Sequence, residues 1–299
     1  MNTIRLGNLL AALSFIFWGV TPLYYQFLPH ASTEELLAVR IIASVPLMAL
    51  LVLLLRGKLP DIKAILKDKV SFKYAFFASL IYCVSWYTFT WAITNHHVLE
   101  SSLAFFISPI TMVALGYFAY KEPISSGKFL AILFACIGVL YQLVLFGHIP
   151  YIALTMAICF TIYGWCKKKI SYSWDICLFV EVLALTPFAV AFLVYKSAYV
   201  GLEFTGTEWG TALLYLGAAP VTILPLVFYS MSVRMTDMSN IGLMQYIEPS
   251  LQFLLAVIVF GEAFDYVKAV SFGFIWLGLV FIVIESVMKR KATYRVNKS

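Results

Sequence analysis

Three ionisable side chains, Arg40, Glu181 and Glu248, each fall inside a long apolar stretch. A charge held in hydrocarbon costs a few kcal/mol or more, so each needs a partner, water or a solute to face. Glu248 is the strongest candidate for chemistry. It sits in Gln245-Tyr246-Ile247-Glu248-Pro249, where Pro249 has no N–H to give the carbonyl one turn earlier, at Gln245. Opened backbone beside a carboxylate suits a cavity wall or a proton carrier. The competing reading is a bent helix whose Glu248 bonds a neighbouring helix. Arg40 and Glu181 fall on opposite sides of the midplane, about 10 Å apart along the membrane normal at about 1.5 Å of rise per residue. Local satisfaction of each by backbone, water or snorkelling is the simpler reading; a role in gating or solute contact is the sharper one.

Other constellations promise less. Asn95-His96-His97 with Glu100 could suggest a metal or a proton sensor. Neighbours on a helix point about 100° apart, so a polar turn is the better reading. The five cysteines (Cys83, Cys136, Cys159, Cys166, Cys177) lack zinc-ligand or CxxC spacing and read as small buried apolar residues. No cofactor or metal is expected. No GxxxxGK[ST] loop is present, so ATP is not expected to drive anything.

The elements that position these groups are membrane helices. Apolar residues make up 62% of the 299 and charged ones only 12%, against about a quarter charged in soluble domains. The stretches 6–26, 34–55, 72–94, 100–119, 127–145, 149–167, 174–195, 209–231, 239–260 and 266–287 approach the roughly 20 apolar residues that a span needs. The first reads as span one rather than a cleaved leader, because it runs on through Trp18, Tyr24 and Tyr25. With both termini in the cytoplasm, all of the 21 basic residues except Arg40, Lys196 and Lys268 fall on the inner side. Orientation and lipid thus account for the net charge of +6 without nucleic acid. Residues 60–71 put Ile62, Ile65, Leu66 and Val70 on one face and read as a short interfacial helix or a plain basic loop.

The chain also repeats itself. At an offset of 140, Leu103, Ile107, Pro109, Leu115, Glu122, Lys128, Phe134 and Gly138 fall on Leu243, Ile247, Pro249, Leu255, Glu262, Lys268, Phe274 and Gly278. At an offset of 141, Arg40 falls on Glu181 and Pro46 on Pro187; at 145, Trp18-Gly19 falls on Tyr163-Gly164. The unit is five spans, and an odd number turns the second copy over in the membrane. The expected fold is an all-α membrane protein of ten transmembrane helices in two inverted five-helix repeats, 1–145 and 146–299.

The string Trp91-Ala92-Ile93-Thr94-Asn95-His96-His97-Val98-Leu99-Glu100-Ser101-Ser102-Leu103, followed by Phe106-Ile107-Ser108-Pro109, closely resembles the RarD branch of the EamA-type transporters in the drug/metabolite transporter superfamily. Further matches are Trp18-Gly19 with Pro22 and Tyr24, Glu35 with Arg40, Tyr163-Gly164 before Lys167-Lys168-Lys169-Ile170, Gln245-Tyr246-Ile247-Glu248-Pro249 with Gly261-Glu262, and Phe274-Ile275-Trp276. The resemblance covers nearly the whole chain. It implies ten helices, two EamA repeats and a bacterial inner-membrane transporter. Glu248 departs from the resemblance, since the family often has Gly in the Gln-Tyr-Ile-x-Pro pattern. A proton-carrying role for Glu248 is therefore no part of what the family implies.

The expected function is secondary transport of a small organic metabolite or drug-like solute by alternating access, with an intramembrane enzyme acting on a lipid as the alternative. The resemblance implies a cavity between spans 1, 3, 4 and 6, 8, 9. Trp18, Trp86, Phe105, Tyr163, Gln245 and Tyr246 are expected to contact solute, Arg40 and Glu248 to set its charge preference, and Pro109 and Pro249 to shape the paired helices. The expected partners are the solute and membrane lipid; oligomeric state is left open.

Overall fold

The computed structural model describes residues 3–28, 32–60, 62–94, 98–202, 209–261 and 266–296. Among the described residues it is all helix and turn, without a strand. In chain order the helices are α1 (Thr3–Val20), α2 (Pro22–Tyr25), α3 (Thr33–Arg56), α4 (Ile62–Lys67), α5 (Lys69–Thr94), α6 (Val98–Tyr120) and α7 (Ser126–Phe146). Then come α8 (Tyr151–Lys169), α9 (Trp174–Tyr199), α10 (Trp209–Met235), α11 (Met238–Gln245), α12 (Ile247–Ile258) and α13 (Tyr266–Val296). Helices are what such runs must form in lipid, where backbone groups find no water and bond within their own segment.

All ten apolar stretches fall on these helices, α1 with α2 and α11 with α12 each sharing one. Among the described residues, 8 helical segments are long and apolar enough to cross a membrane. The two others, α5 and α8, are 26 and 19 residues long. The three lysines at its end dilute the hydropathy of α8, whereas α5 carries no charged residue from 74 to 94. The basic segment after α3 forms the six-residue α4, held where the Tyr172 hydroxyl donates to the carbonyls of Ile65 (2.6 Å) and Asp68 (3.1 Å).

Helices at matching places in the sequence repeat lie against each other and run in opposite directions. For α3 and α9, Glu35 pairs with Lys196 at one end and Arg56 with Asp175 at the other. For α6 and α11, contacts run from Phe106 with Tyr246, through Ser108 with Gln245, to Glu122 with Met238. For α7 and α13 they run from Gly127 with Glu285 to Gly138 with Ser271. The remaining packing exchanges in the same way: α1 lies on α10 as α8 lies on α5, and α1 on α12 as α8 on α6.

The α6–α11 crossing is close because Gly242 has no side chain. A Cβ there would lie 2.7 Å from the Pro109 carbonyl oxygen. The two prolines behave differently. Pro109 lies inside an unbroken α6, whereas the helical run that holds Pro249 breaks at Tyr246, between α11 and α12. That break is next to the carbonyl that Pro249 cannot serve.

Glu122 closes one end of this crossing. Its carboxylate accepts from the backbone N–H of Met238 and of Ser239, both at 2.8 Å, and from the Ser239 hydroxyl at 2.5 Å. It thereby caps the first turn of α11, where N–H groups would otherwise be orphaned. Lys168 adds an ion pair at 3.4 Å. Burial works against the Glu122 charge, but the hydrogen bonds from Ser239 and Met238, with Lys168, outweigh it and hold the carboxyl below its usual 4.5. A lowered folded value means stabilisation that is present above the unfolded value and lost as pH falls through the folded one. In detergent melting experiments, Glu122→Gln is expected to cost about 1–3 kcal/mol at neutral pH and to flatten the wild-type decline below about pH 4.5. A variant as stable as wild type across that range would refute the capping role.

Candidate functional site

A cavity of about 170 Å³ lies between α1–α2, α5, α6, α8 and α11–α12. Its walls are mostly rings: Trp18 and Tyr25, Tyr82 and Trp86, Phe105 and Phe160. The polar lining comes from Ser85, Ser108, Gln245, Glu248 and Gln252. The cavity occupies the half of the bundle nearer to Tyr25, Thr94 and Tyr151. The other half is filled by fully buried side chains, among them Phe15, Met112, Tyr163, Tyr229, Met238 and Ile241.

The floor is an aromatic cluster. Tyr229 stands at 5.8 Å from Trp18, 5.5 Å from Phe160 and 5.9 Å from Tyr163, ring centre to ring centre. Tyr163 stacks on Tyr82 at 4.8 Å. Gly164 leaves room for this: a Cβ there would sit 2.7 Å from the Tyr229 hydroxyl. Such offset and edge-on ring contacts each contribute about 0.5–1.5 kcal/mol beyond burial.

The wall at Glu248 is polar and incompletely satisfied. The Gln245 amide donates to the Ser108 hydroxyl at 2.8 Å, while its buried carbonyl oxygen has no hydrogen-bond partner among the described residues. Gln252 donates to Glu248 at 3.4 Å. Acceptors facing a cavity in this way are what a solute's N–H or O–H groups would meet.

A smaller cavity of about 60 Å³ adjoins the first, with Tyr82 and Trp86 in the walls of both. Arg40 and Glu181 line it from facing helices, and they do not pair. The Arg40 guanidinium lies over Trp86, 3.9 Å from the ring centre, and donates to Thr222 at 3.4 Å. Glu181 pairs with Lys167 at 2.8 Å and accepts from Cys177 at 3.0 Å and from the Tyr163 hydroxyl at 3.2 Å. The local reading of both charges is the one the geometry supports.

Of the residues expected to meet solute, Trp18, Trp86, Phe105, Gln245 and Glu248 share the main cavity. Arg40 and Tyr163 line the smaller one, as Trp86 also does. Tyr246 is a correction. It is 1% exposed, packs between Phe106 and the α13 side, and donates to the Phe106 carbonyl at 3.2 Å, so it holds the crossing rather than the cavity. The place expected for span 8 is also corrected: α10 reaches the smaller cavity through Thr222, Ile223 and Leu226 but is absent from the main lining. Asn95-His96-His97 and Glu262 lie outside the described residues, as does the Glu100 side chain.

Sequence reasoning missed Lys167, Tyr82, Thr222 and Gln252. Lys167 is one of three consecutive lysines and read as loop charge. Its position four residues after Tyr163 places it on the same inward face, a signal that was available. Thr222 carried none.

Comparison with known proteins agrees with this geometry. The model of the EamA-like transporter family matches twice, over residues 5–144 and 149–284. This chain belongs to the EamA-like transporter family. Its RarD-type character is equally plain. It is 33% identical to Protein RarD of Salmonella typhi over 96% of this chain and 97% of that one, and 32% identical to Protein RarD of Escherichia coli strain K12 over 97% of both. An uncharacterized transporter of Vibrio cholerae is 34% identical over 97% of this chain and 95% of its own. A solved crystal structure at 14% identity shares the fold, with a TM-score of 0.66 over 92% of this chain and 97% of that one. The EamA protein described here is thus a multi-pass membrane transporter.

Removing one partner of a buried ion pair strands the other. Lys167→Met is expected to destabilise the purified protein by about 3–5 kcal/mol, and Lys167→Met combined with Glu181→Leu to recover most of that. Thermal unfolding in detergent checks it; a double variant no better than the single one would remove the pair from the account.

Proposed function

We propose that this protein is a secondary transporter that carries a small organic solute through the bacterial inner membrane by alternating access. The protein has ten spans, α5 and α8 among them, arranged as inverted repeats 1–145 and 146–299 with both termini in the cytoplasm. Trp18, Trp86 and Phe105 contact the apolar body of the solute, Gln245 and Glu248 its donor groups, and Arg40 sets charge preference from the side.

One observation carries the reading: matching helices of the repeat run antiparallel around a cavity that lies towards one end of the bundle, the other end being filled by buried side chains. The filled end also holds Glu122 on α11, Lys167 with Glu181 and Arg56 with Asp175. A bundle with its repeats inverted can exchange which end is sealed by rocking one half against the other. An enzyme would need a base beside a nucleophile at the cavity. Ser85 instead donates to the Met156 carbonyl at 3.4 Å, and Ser108 is held by Gln245.

Two measurements test this. Membrane-impermeant thiol labelling, with single cysteines placed near Glu122 and near Gly261 in a cysteine-free background, is expected to reach the two sites from opposite faces; labelling from one face would end the inverted reading. Flux of solutes into proteoliposomes, with and without a pH gradient, is expected to saturate. If Glu248 titrates during transport, Glu248→Gln changes the pH profile of that flux, and an unchanged profile removes it as a proton carrier.

A further inference from the structure

Arg40 is a buried cation without a counter-ion. It is 5% exposed, yet among the described residues no carboxylate stands within the 4.0 Å of an ion pair. Of its five N–H donors, one reaches Thr222, at a long 3.4 Å. Other buried charges of this protein are treated differently. Lys167 meets Glu181 at 2.8 Å, Glu35 meets Lys196 at 2.7 Å, and Asp175 meets Arg56 at 2.5 Å. A desolvated charge is retained at a cost of several kcal/mol, and the groups that offset it are normally in place. For Arg40, what is in place is the face of Trp86 and an empty-walled cavity of about 60 Å³.

We propose that this cavity is an anion subsite, and that the transported solute is an organic carboxylate whose carboxylate enters it while its apolar body stays in the main cavity. The inference rests on the transporter reading above and names the solute class. Size allows it: a cavity of about 60 Å³ exceeds the roughly 10–15 Å³ that one water needs, so a carboxylate has room. Position favours it, because Tyr82 and Trp86 border both cavities, so one molecule can occupy the two at once. Shape favours it as well. A guanidinium resting on an indole keeps its N–H edge fixed, and that planar fork matches a carboxylate with two parallel bonds.

Glu181 also faces this cavity and could repel an anion. Its charge is already answered. One oxygen takes Lys167 and Cys177, and the other takes the Tyr163 hydroxyl. The Lys167–Glu181 pair is neutral as a unit, so the field in the cavity is that of Arg40. Ser44 leaves that edge free by turning its hydroxyl to the Arg40 carbonyl at 2.6 Å.

The test uses the full chain in detergent and in proteoliposomes, with a panel of aryl- and alkyl-carboxylates, each beside its primary amide. By calorimetry, acids of the panel are expected to bind wild type at least about tenfold more tightly than their amides, the gain of one charge-assisted bidentate contact. Arg40→Gln is expected to bring the ratio to about one, and Arg40→Lys to give an intermediate ratio. A wild type that shows no preference for acids, whether it binds all the pairs or none, overturns the proposal without recourse to any variant. So does an Arg40→Gln protein that keeps the ratio. The two readings fail separately. Acid-selective binding without saturable flux retires the transporter and keeps the subsite. Saturable flux of solutes that bear no carboxylate, undiminished in Arg40→Gln, retires the subsite and keeps the transporter.

Discussion

The close crossing of α6 and α11 is the constraint from which the rest of the molecule follows. Gly242 lets the two backbones approach until the Pro109 carbonyl fills the place of a side chain. At one end of that crossing the Glu122 carboxylate receives the first N–H groups of α11; further along, Gln245 reaches Ser108 and Tyr246 reaches the Phe106 carbonyl. Small residues and interhelical hydrogen bonds of this kind are what bring helices together where lipid offers no hydrophobic drive. With this pair fixed, α1 and α8 lie on either side of it, and the space they leave towards the far end is the cavity.

Charge is distributed with the same economy. Most of the ion pairs gather where the bundle is solid, Arg56 with Asp175, Lys168 with Glu122 and Lys167 with Glu181, while Glu35 with Lys196 ties α3 to α9 at the other end. Where the bundle is hollow, the walls carry rings, amides and Glu248 instead. A surface ion pair contributes little, but a buried one strongly opposes the loss of either partner. The end that holds three of these pairs is therefore the harder to open, and the ring-lined end, with the Glu35–Lys196 pair alone, the easier.

Much of this was legible in the sequence. The helices follow from apolar length alone, and the repeat at an offset of 140 already paired the segments that meet at the crossing, Phe106 with Tyr246 and Ser108 beside Gln245. The break near Pro249 follows from its missing N–H. Five of the proposed solute contacts share one cavity: Trp18, Trp86 and Phe105 as rings set inside spans, and Gln245 and Glu248 as the polar pair beside Pro249. What stayed hidden were rotational choices. Nothing in a ten-residue window tells whether Tyr246 turns to the crossing or the cavity, or which partner Lys167 meets once its helical spacing from Tyr163 has turned it inward. Those depend on which helix arrives alongside, information carried by residues more than a hundred positions away.

The packing of α5 on α8 bears on how the polypeptide is made. Along their contact, Tyr74, Tyr82 and Ser85 of α5 meet Trp165, Tyr163 and the Met156 carbonyl of α8, a stripe that each helix covers for the other. During synthesis α5 leaves the ribosome well before α8 exists. A helix with such a stripe enters the bilayer at little gain by itself and settles only when a companion hides its polar side. On the ten-span reading, the early half of the chain therefore waits for the late half, and the two mature together. A fragment ending after α7 would hold α5 without its cover, so gene halves expressed apart must be joined in one membrane before either becomes whole.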